Sequence, residues 1–317
     1  MQLLQRVENR EYPADYLLSR IRGKRAGLIS DWNAVIFSGG PFEYLASSLY
    51  GGFVTERSPE GIWRDLMKEY RWVYVRMNRE FYEIFRPFFL YCELRTIFIC
   101  LRHIKGGNAK MAAGIFPSSL LSEEMKKVLR DSGDISTAAR QIEKAFLGLS
   151  NTFSGVAEIS EREGLGGFER ELTVRYLVMT VKNGLHPLMK KFFVRIIDAR
   201  NIMALYKSLR LDPKTAPSFI PYGSISESEF AGIIERKDMR EIYRLAGIKD
   251  EGPGRSNIEE VLYRNITVFL RKAGRDPLGI GPVLDYLWRS EREVMNLSIL
   301  YYGRDMDRDT VKTELVH

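Results

Sequence analysis

The chain has 317 residues, 45% hydrophobic and 28% charged. That is enough apolar content for a substantial core in two or three compact units. Its 48 Lys and Arg against 41 Asp and Glu leave a net charge of +7, which favours polyanionic neighbours without choosing among nucleic acid, anionic headgroups and acidic protein faces. The signs are interspersed and no block of five or six like charges occurs, so a solvated mixed surface accounts for most of the balance.

From the N-terminus, Met1-Gln-Leu-Leu-Gln-Arg-Val-Glu has no basic leader followed by an apolar run, and a cleaved secretory signal is not expected. Helical periodicity dominates and few segments alternate as half-buried strands do, so the expected fold class is all-α. Pro87 to Leu101 is the most apolar stretch, but it carries Glu93 and Arg95 and falls short of the roughly 20 clean apolar residues of a membrane span. It reads as a core helix. Cys92 and Cys100, eight apart within it, suit neither a disulfide nor a zinc site and read as buried core residues. With His103, His186 and His317 the only histidines, no metal or other cofactor is expected.

Turns are expected at Lys105-Gly-Gly-Asn, at Gly164-Leu-Gly-Gly, between Pro213 and Gly223, and from Asp250 to Arg255. Helix starts are expected at three places. Ser122-Glu-Glu puts a capping hydroxyl before acidic first-turn residues. Ser226-Glu-Ser-Glu229 has the spacing of a capping box, and Asn257 precedes Glu259 and Glu260 in a helix that should stop near Gly274. Asp305-Met-Asp307-Arg-Asp309 reads as the polar cap of a last helix.

A weak threefold repeat runs through the chain. Glu93, Asp198 and Glu293 fall 105 and 95 residues apart. Five residues before each stands an aromatic, Phe88, Phe193 or Trp288. Three after stands Thr96, Asn201 or Asn296, and four after stands Ile97, Ile202 or Leu297. The positions one, four and eight past the acid share a narrow arc of a helix and are apolar throughout: Leu94, Ile97, Leu101; Ala199, Ile202, Tyr206; Val294, Leu297, Tyr301. Each is therefore expected to be the central helix of a helical repeat, with approximate bounds 1–107, 108–212 and 213–317. An acid beside an amide on a helix is far more often a structural hydrogen-bonding pair than a catalytic group. Recurrence in three copies favours structure too, since a repeated domain needs its packing motif every time.

Chemical signatures are missing. No GxxxxGK[ST] loop, GxSxG elbow or HExxH occurs, and Gly164-Leu-Gly-Gly follows no predicted strand, so it reads as a helix connection rather than a phosphate cradle. No catalytic residue is expected.

The three acid-x-x-Asn/Thr-aliphatic helices resemble those of the V/A-type ATPase C/d subunit family. Further short motifs agree in order: Tyr16-Leu-Leu-Ser-Arg-Ile-Arg22, Phe168-Glu-Arg-Glu-Leu, Phe219-Ile-Pro-Tyr-Gly-Ser and the tail Asp309-Thr-Val-Lys-Thr-Glu-Leu. Departures are Thr96, where the family usually has Asn, and Thr173-Val-Arg-Tyr176, where it more often reads Leu-Asp-Arg-x-Tyr. The resemblance implies three homologous domains with pseudo-threefold arrangement in a funnel. It implies a non-catalytic rotor subunit at the cytoplasmic face of the membrane, coupling the proteolipid ring to the central stalk, with peripheral contact to the membrane surface and no nucleic acid. Two other classes compete. A basic α-helical repeat protein binding nucleic acid would show a continuous basic stripe. An isoprenoid-synthase-like enzyme would need paired aspartate-rich motifs, for which the Asp305–Asp309 cluster is a poor substitute.

Overall fold

In the computed structural model the described residues are 2–37, 45, 50, 59–108, 114–211, 217–248 and 257–315. The break expected over Asp250 to Arg255, part of the Pro213–Gly223 stretch and the terminal His317 lie outside them. Thirteen α-helices and one short 3-10 turn make up the regular structure among the described residues, and the expected all-α class is observed. The one β-feature among them is an isolated antiparallel bridge between Leu4 and Leu121. No described helix is long and apolar enough to cross a membrane.

The chain divides into two compact units. The first comprises Met1–Ala14 and Met67–His186, the second Asp15–Leu66 and Pro187–His317. Helix α3 (Pro59–Val75) contributes residues to both.

In the first unit, α4 (Arg79–Lys105) is the centre, with α5 (Glu123–Asp131), α6 (Ile135–Leu147) and α7 (Val156–Lys182) packed on it. Asn78 starts α4 by accepting from the Phe81 amide at 2.8 Å, and Gly106 ends it. Pro87 interrupts the helical ladder, and the Tyr176 hydroxyl of α7 donates to the Pro87 carbonyl at 2.7 Å. Phe85, Phe88, Phe89, Leu94, Ile97 and Leu101 are buried, as the apolar run demands. Cys100 is buried too, and the apolar surroundings push its thiol up to about 12. Cys92 is only half-buried, because eight residues on a helix amount to more than two turns and set the two cysteines about 80° apart. The Gly164 connection sits inside α7: at φ 71° and ψ −171° it breaks the helical path, and two helical segments meet there.

In the second unit, α1 (Ala14–Ala26) and α2 (Trp32–Phe37) join α8 (Pro187–Leu211), α9 (Glu227–Arg236), α10 (Met239–Leu245), α11 (Ile258–Ala273), α12 (Gly281–Tyr302) and α13 (Arg308–Glu314). Helix α11 packs against α8 and α12, α8 also against α9 and α10, and α13 against α2 and α12. All three expected caps form: Ser122 accepts from the Met125 amide, Ser226 from Glu229, and Asn257 from Glu259 and Glu260. Gly274 ends α11 and Asp307 caps α13.

The α11–α12 connection is tight. A β-carbon on Gly281 would run into the carbonyl of Ala273, backbone that cannot rotate away. Gly281→Ala is therefore expected to destabilise the protein by about 2–3 kcal/mol. Gly184→Ala, where nothing stands within 4 Å, should be nearly neutral. Denaturant unfolding of both variants checks the contrast.

Candidate functional site

The three repeated acids lie on the long helices α4, α8 and α12, and each binds backbone. Glu93 is fully buried and accepts the Leu120 amide at 2.5 Å and the Ser119 hydroxyl at 2.8 Å. Asp198 is half-buried and accepts the Ser224 amide and the Ser224 hydroxyl, both at 2.7 Å. Glu293 is buried and accepts the Ile29 amide and the Tyr50 hydroxyl, the latter at 2.6 Å. The three bound segments are non-helical.

These segments share a register. Each bound amide belongs to the residue two before a capping side chain: Leu120 before Ser122, Ser224 before Ser226, Ile29 before Asp31. Each cap in turn accepts the amide three residues on, from Met125, Glu229 and Ala34. The acid thus fixes the point from which α5, α9 or α2 departs.

The residue three after the acid adds a second clamp in one case. Asn201, buried, donates to the Ile220 carbonyl and accepts the Ile220 amide, both at 2.8 Å. Thr96 turns to the Glu93 carboxyl, and Asn296 is buried on α12. Ile97, Ile202 and Leu297 are all buried, while at the eighth position only Leu101 is fully covered and Tyr206 and Tyr301 are half-exposed. The aromatics five before the acid fill cores. Phe88 packs edge-on to Tyr70 and Phe89, and Phe193 against Phe192. Trp288 packs against Phe192 and Tyr263 and donates its indole N–H to Thr267.

The electrostatics follow from burial. Loss of water raises the Glu93 carboxyl above its ordinary range, opposed by the bonds from Leu120, Ser119 and Thr96 and by nearby Lys126. Burial likewise pushes Glu293 up to about 7 against its hydrogen bonds from Tyr50 and Ile29 and the charge of Arg289. A third buried acid, Asp285 on α12, is raised by burial and pulled back by Arg25 of α1 at 2.7 Å and Arg289 at 3.9 Å.

Sequence reasoning placed the acids but missed their partners Ser119, Leu120, Ser224, Ile29 and Tyr50, and the Arg25–Asp285 pair. A signal existed: Pro117 and Pro221 each stand five residues before a capping serine, Ser122 or Ser226, so the two segments align without gaps. Chemically the arrangement can hold chain segments. Each of the three repeated carboxylates is occupied by an amide and a hydroxyl, and Asp285 by two arginines. Among the described residues no group of three or more His, Cys, Asp and Glu is placed to hold a metal ion.

Two outcomes follow. Asn201→Leu strands the buried Ile220 amide and carbonyl and should cost about 2–4 kcal/mol in chemical denaturation. For Glu293, the unfolded carboxyl loses its proton near its ordinary value of 4.5 and the folded one near 7, so the folded state holds the extra proton between them and stability falls as pH rises through that window. The full loss is roughly 3 kcal/mol. Glu293→Gln lacks this titration, so the variant should gain on the wild type by roughly that amount between pH 4.5 and pH 8 in paired urea titrations, whatever its stability at either end.

No curated protein matches the chain. A family model described as the ATP synthase (C/AC39) subunit matches residues 43–314, a span that takes in all three acid-bearing helices. The chain belongs to this family of V/A-type ATPase C/d subunits and is a rotary ATPase subunit.

Proposed function

We propose that the chain is the non-catalytic coupling subunit of its rotary ATPase, a socket that joins the central stalk to the membrane proteolipid ring and carries torque between them. On this reading it consists of three homologous repeats near 1–107, 108–212 and 213–317, in pseudo-threefold arrangement. It sits on the cytoplasmic side of the ring, in peripheral contact with the membrane surface.

The observation that carries the reading is the cyclic order of the three clamps. The acid of the first third, Glu93, holds the opening segment of the second at Leu120. The acid of the second, Asp198, holds the opening segment of the third at Ser224. The acid of the third, Glu293, holds the opening segment of the first at Ile29. Repeats linked head to tail in a closed order are what a ring-shaped socket needs, because an open row leaves its ends unheld. The clamps are also stiff. A carboxyl held by two donors is fixed in two directions where a single bond would let it swing, and densely packed helices transmit strain instead of absorbing it. Rotary coupling asks for that property and for no chemistry at this subunit.

The test is a pull-down of the tagged chain from gently solubilised native membranes, with mass spectrometry of what returns and a nuclease-treated control. The expected result is stable recovery of proteolipid and central-stalk subunits, insensitive to nuclease. Recovery of nucleic-acid-dependent partners alone would replace the reading with that of a basic nucleic-acid-binding repeat protein.

A further inference from the structure

The connection between α11 and α12 presents an apolar tip in a basic surround. Leu278 is 79% exposed, more than any other large hydrophobic side chain among the described residues. Its loop is held firmly. The Leu278 amide donates to Asp276, which shapes the turn. From α1, Arg22 donates to the Pro277 carbonyl at 2.5 Å and Arg25 to the Gly274 carbonyl at 3.0 Å. Arg25 also pairs with buried Asp285. The tip is therefore exposed without being loose.

Cations precede it in the chain, and Arg22 reaches its loop from α1. On the last turns of α11, Val268, Arg271 and Lys272 fall at intervals of three and four, lie on one face and are all exposed, Val268 by 58%, and Arg275 is exposed in the turn that follows the helix. Arg22 is exposed beside the loop. Of the nearby acids, Asp285 is buried and paired, and Asp276 is bonded into the turn. The surface therefore offers four cations and one exposed carboxylate, Asp276, with two apolar side chains, an excess of positive charge.

We propose that this face, centred on Leu278 and rimmed by Arg22, Arg271, Lys272 and Arg275, docks on an anionic lipid surface, with Leu278 entering the headgroup boundary. The inference rests on the membrane contact in the functional reading above and gives it a location. Charge and shape select lipid over protein. Two separated apolar side chains cannot supply the several hundred Å² of complementary core that a specific protein partner needs. A fluid leaflet needs no complementary shape, accepts a single leucine, and lets long arginine side chains reach headgroups while their stems lie on apolar material. Each cation close to an anionic leaflet multiplies the affinity about fivefold, so four cations and a leucine suffice for reversible binding and not for permanent anchoring.

The experiment uses the isolated full-length chain and sedimenting vesicles of phosphatidylcholine alone or with about a third phosphatidylserine. The wild type is expected to sediment with the anionic vesicles, to ignore the neutral ones and to be released by high salt, which shortens the screening length. Leu278→Glu and the double variant Arg271→Gln/Arg275→Gln should each weaken binding at least about tenfold, with thermal melts matching the wild type. Wild-type indifference to anionic vesicles, or variants binding as well as the wild type, would overturn the proposal. Retention on polyglutamate, lost in the same variants while vesicles are ignored, would assign the face to an acidic protein instead. The subunit pull-down in detergent is separate: co-purification with the ring and stalk can succeed while vesicle binding fails, and the converse.

Discussion

A carboxylate removed from water is costly, and in this protein two of the three long acid-bearing helices are organised around meeting that cost. Glu93 and Glu293 lie deep enough that burial raises both above the ordinary carboxyl range, yet each keeps an amide and a hydroxyl donor. The donors are not drawn from the helix itself, whose amides are already engaged. They come from a non-helical segment that crosses the helix, whose own backbone would otherwise be unpaired in an apolar interior. Each side of the contact thus resolves the other's unmet demand. Replacing the acid with an apolar residue would leave a buried amide, and moving the segment would leave a buried charge. That mutual dependence fixes the register of everything that follows, because the cap of the next helix stands two residues on.

Fixed register explains why the surrounding cores can be so aromatic. Phe88, Phe193 and Trp288 lie more than one turn before the acids, on another side of the helix, and each packs edge-on against further rings. Edge-to-face contacts between rings are directional and tolerate little sliding. A helix free to rotate would lose them, whereas a helix pinned through its acid keeps them. Polar clamp and aromatic packing therefore act on different sides of one rod.

Much of this could be read from the sequence, for local reasons. The all-α class, the caps at Ser122, Ser226 and Asn257 and the stop at Gly274 depend on side chains within a few residues of the backbone groups they serve. The family resemblance rested on motifs of the same short range. The acids and their apolar neighbours were legible because helical periodicity is itself local. What the acids hold was not. Leu120 and Ser224 lie 26 or 27 residues beyond Glu93 and Asp198, and Ile29 lies 264 residues before Glu293. No periodicity connects such distances. The half-exposed Tyr206 and Tyr301 went astray for a related reason: the arc argument gives the face of a helix but not how far a neighbour extends along it. Cys92 shows the same limit, since an apolar stretch is not buried evenly around its circumference.

The third clamp has to meet a cost that the first two avoid. Closing a loop of 264 residues instead of about 27 adds about 2 kcal/mol of chain entropy. The N-terminal segment that makes this closure carries correspondingly more attachments to the C-terminal helices of its own unit. Ile29 and Tyr50 bond Glu293, Arg25 pairs with Asp285 and bonds the Gly274 carbonyl, and Arg22 bonds the Pro277 carbonyl. The 119–120 segment, by contrast, reaches Glu93 from the adjoining chain, with Gln5 of the N-terminal bridge bonded to Ser119 and Leu120. The long closure also sets an order of events. Glu293 and Asp285 belong to α12, so the N-terminal segment cannot dock until nearly the whole chain is present, while α4 can take its partner segment as soon as residue 120 follows. An arm docked last and held by several independent bonds completes a sequence of clamps that the chain's own connectivity leaves open at one point.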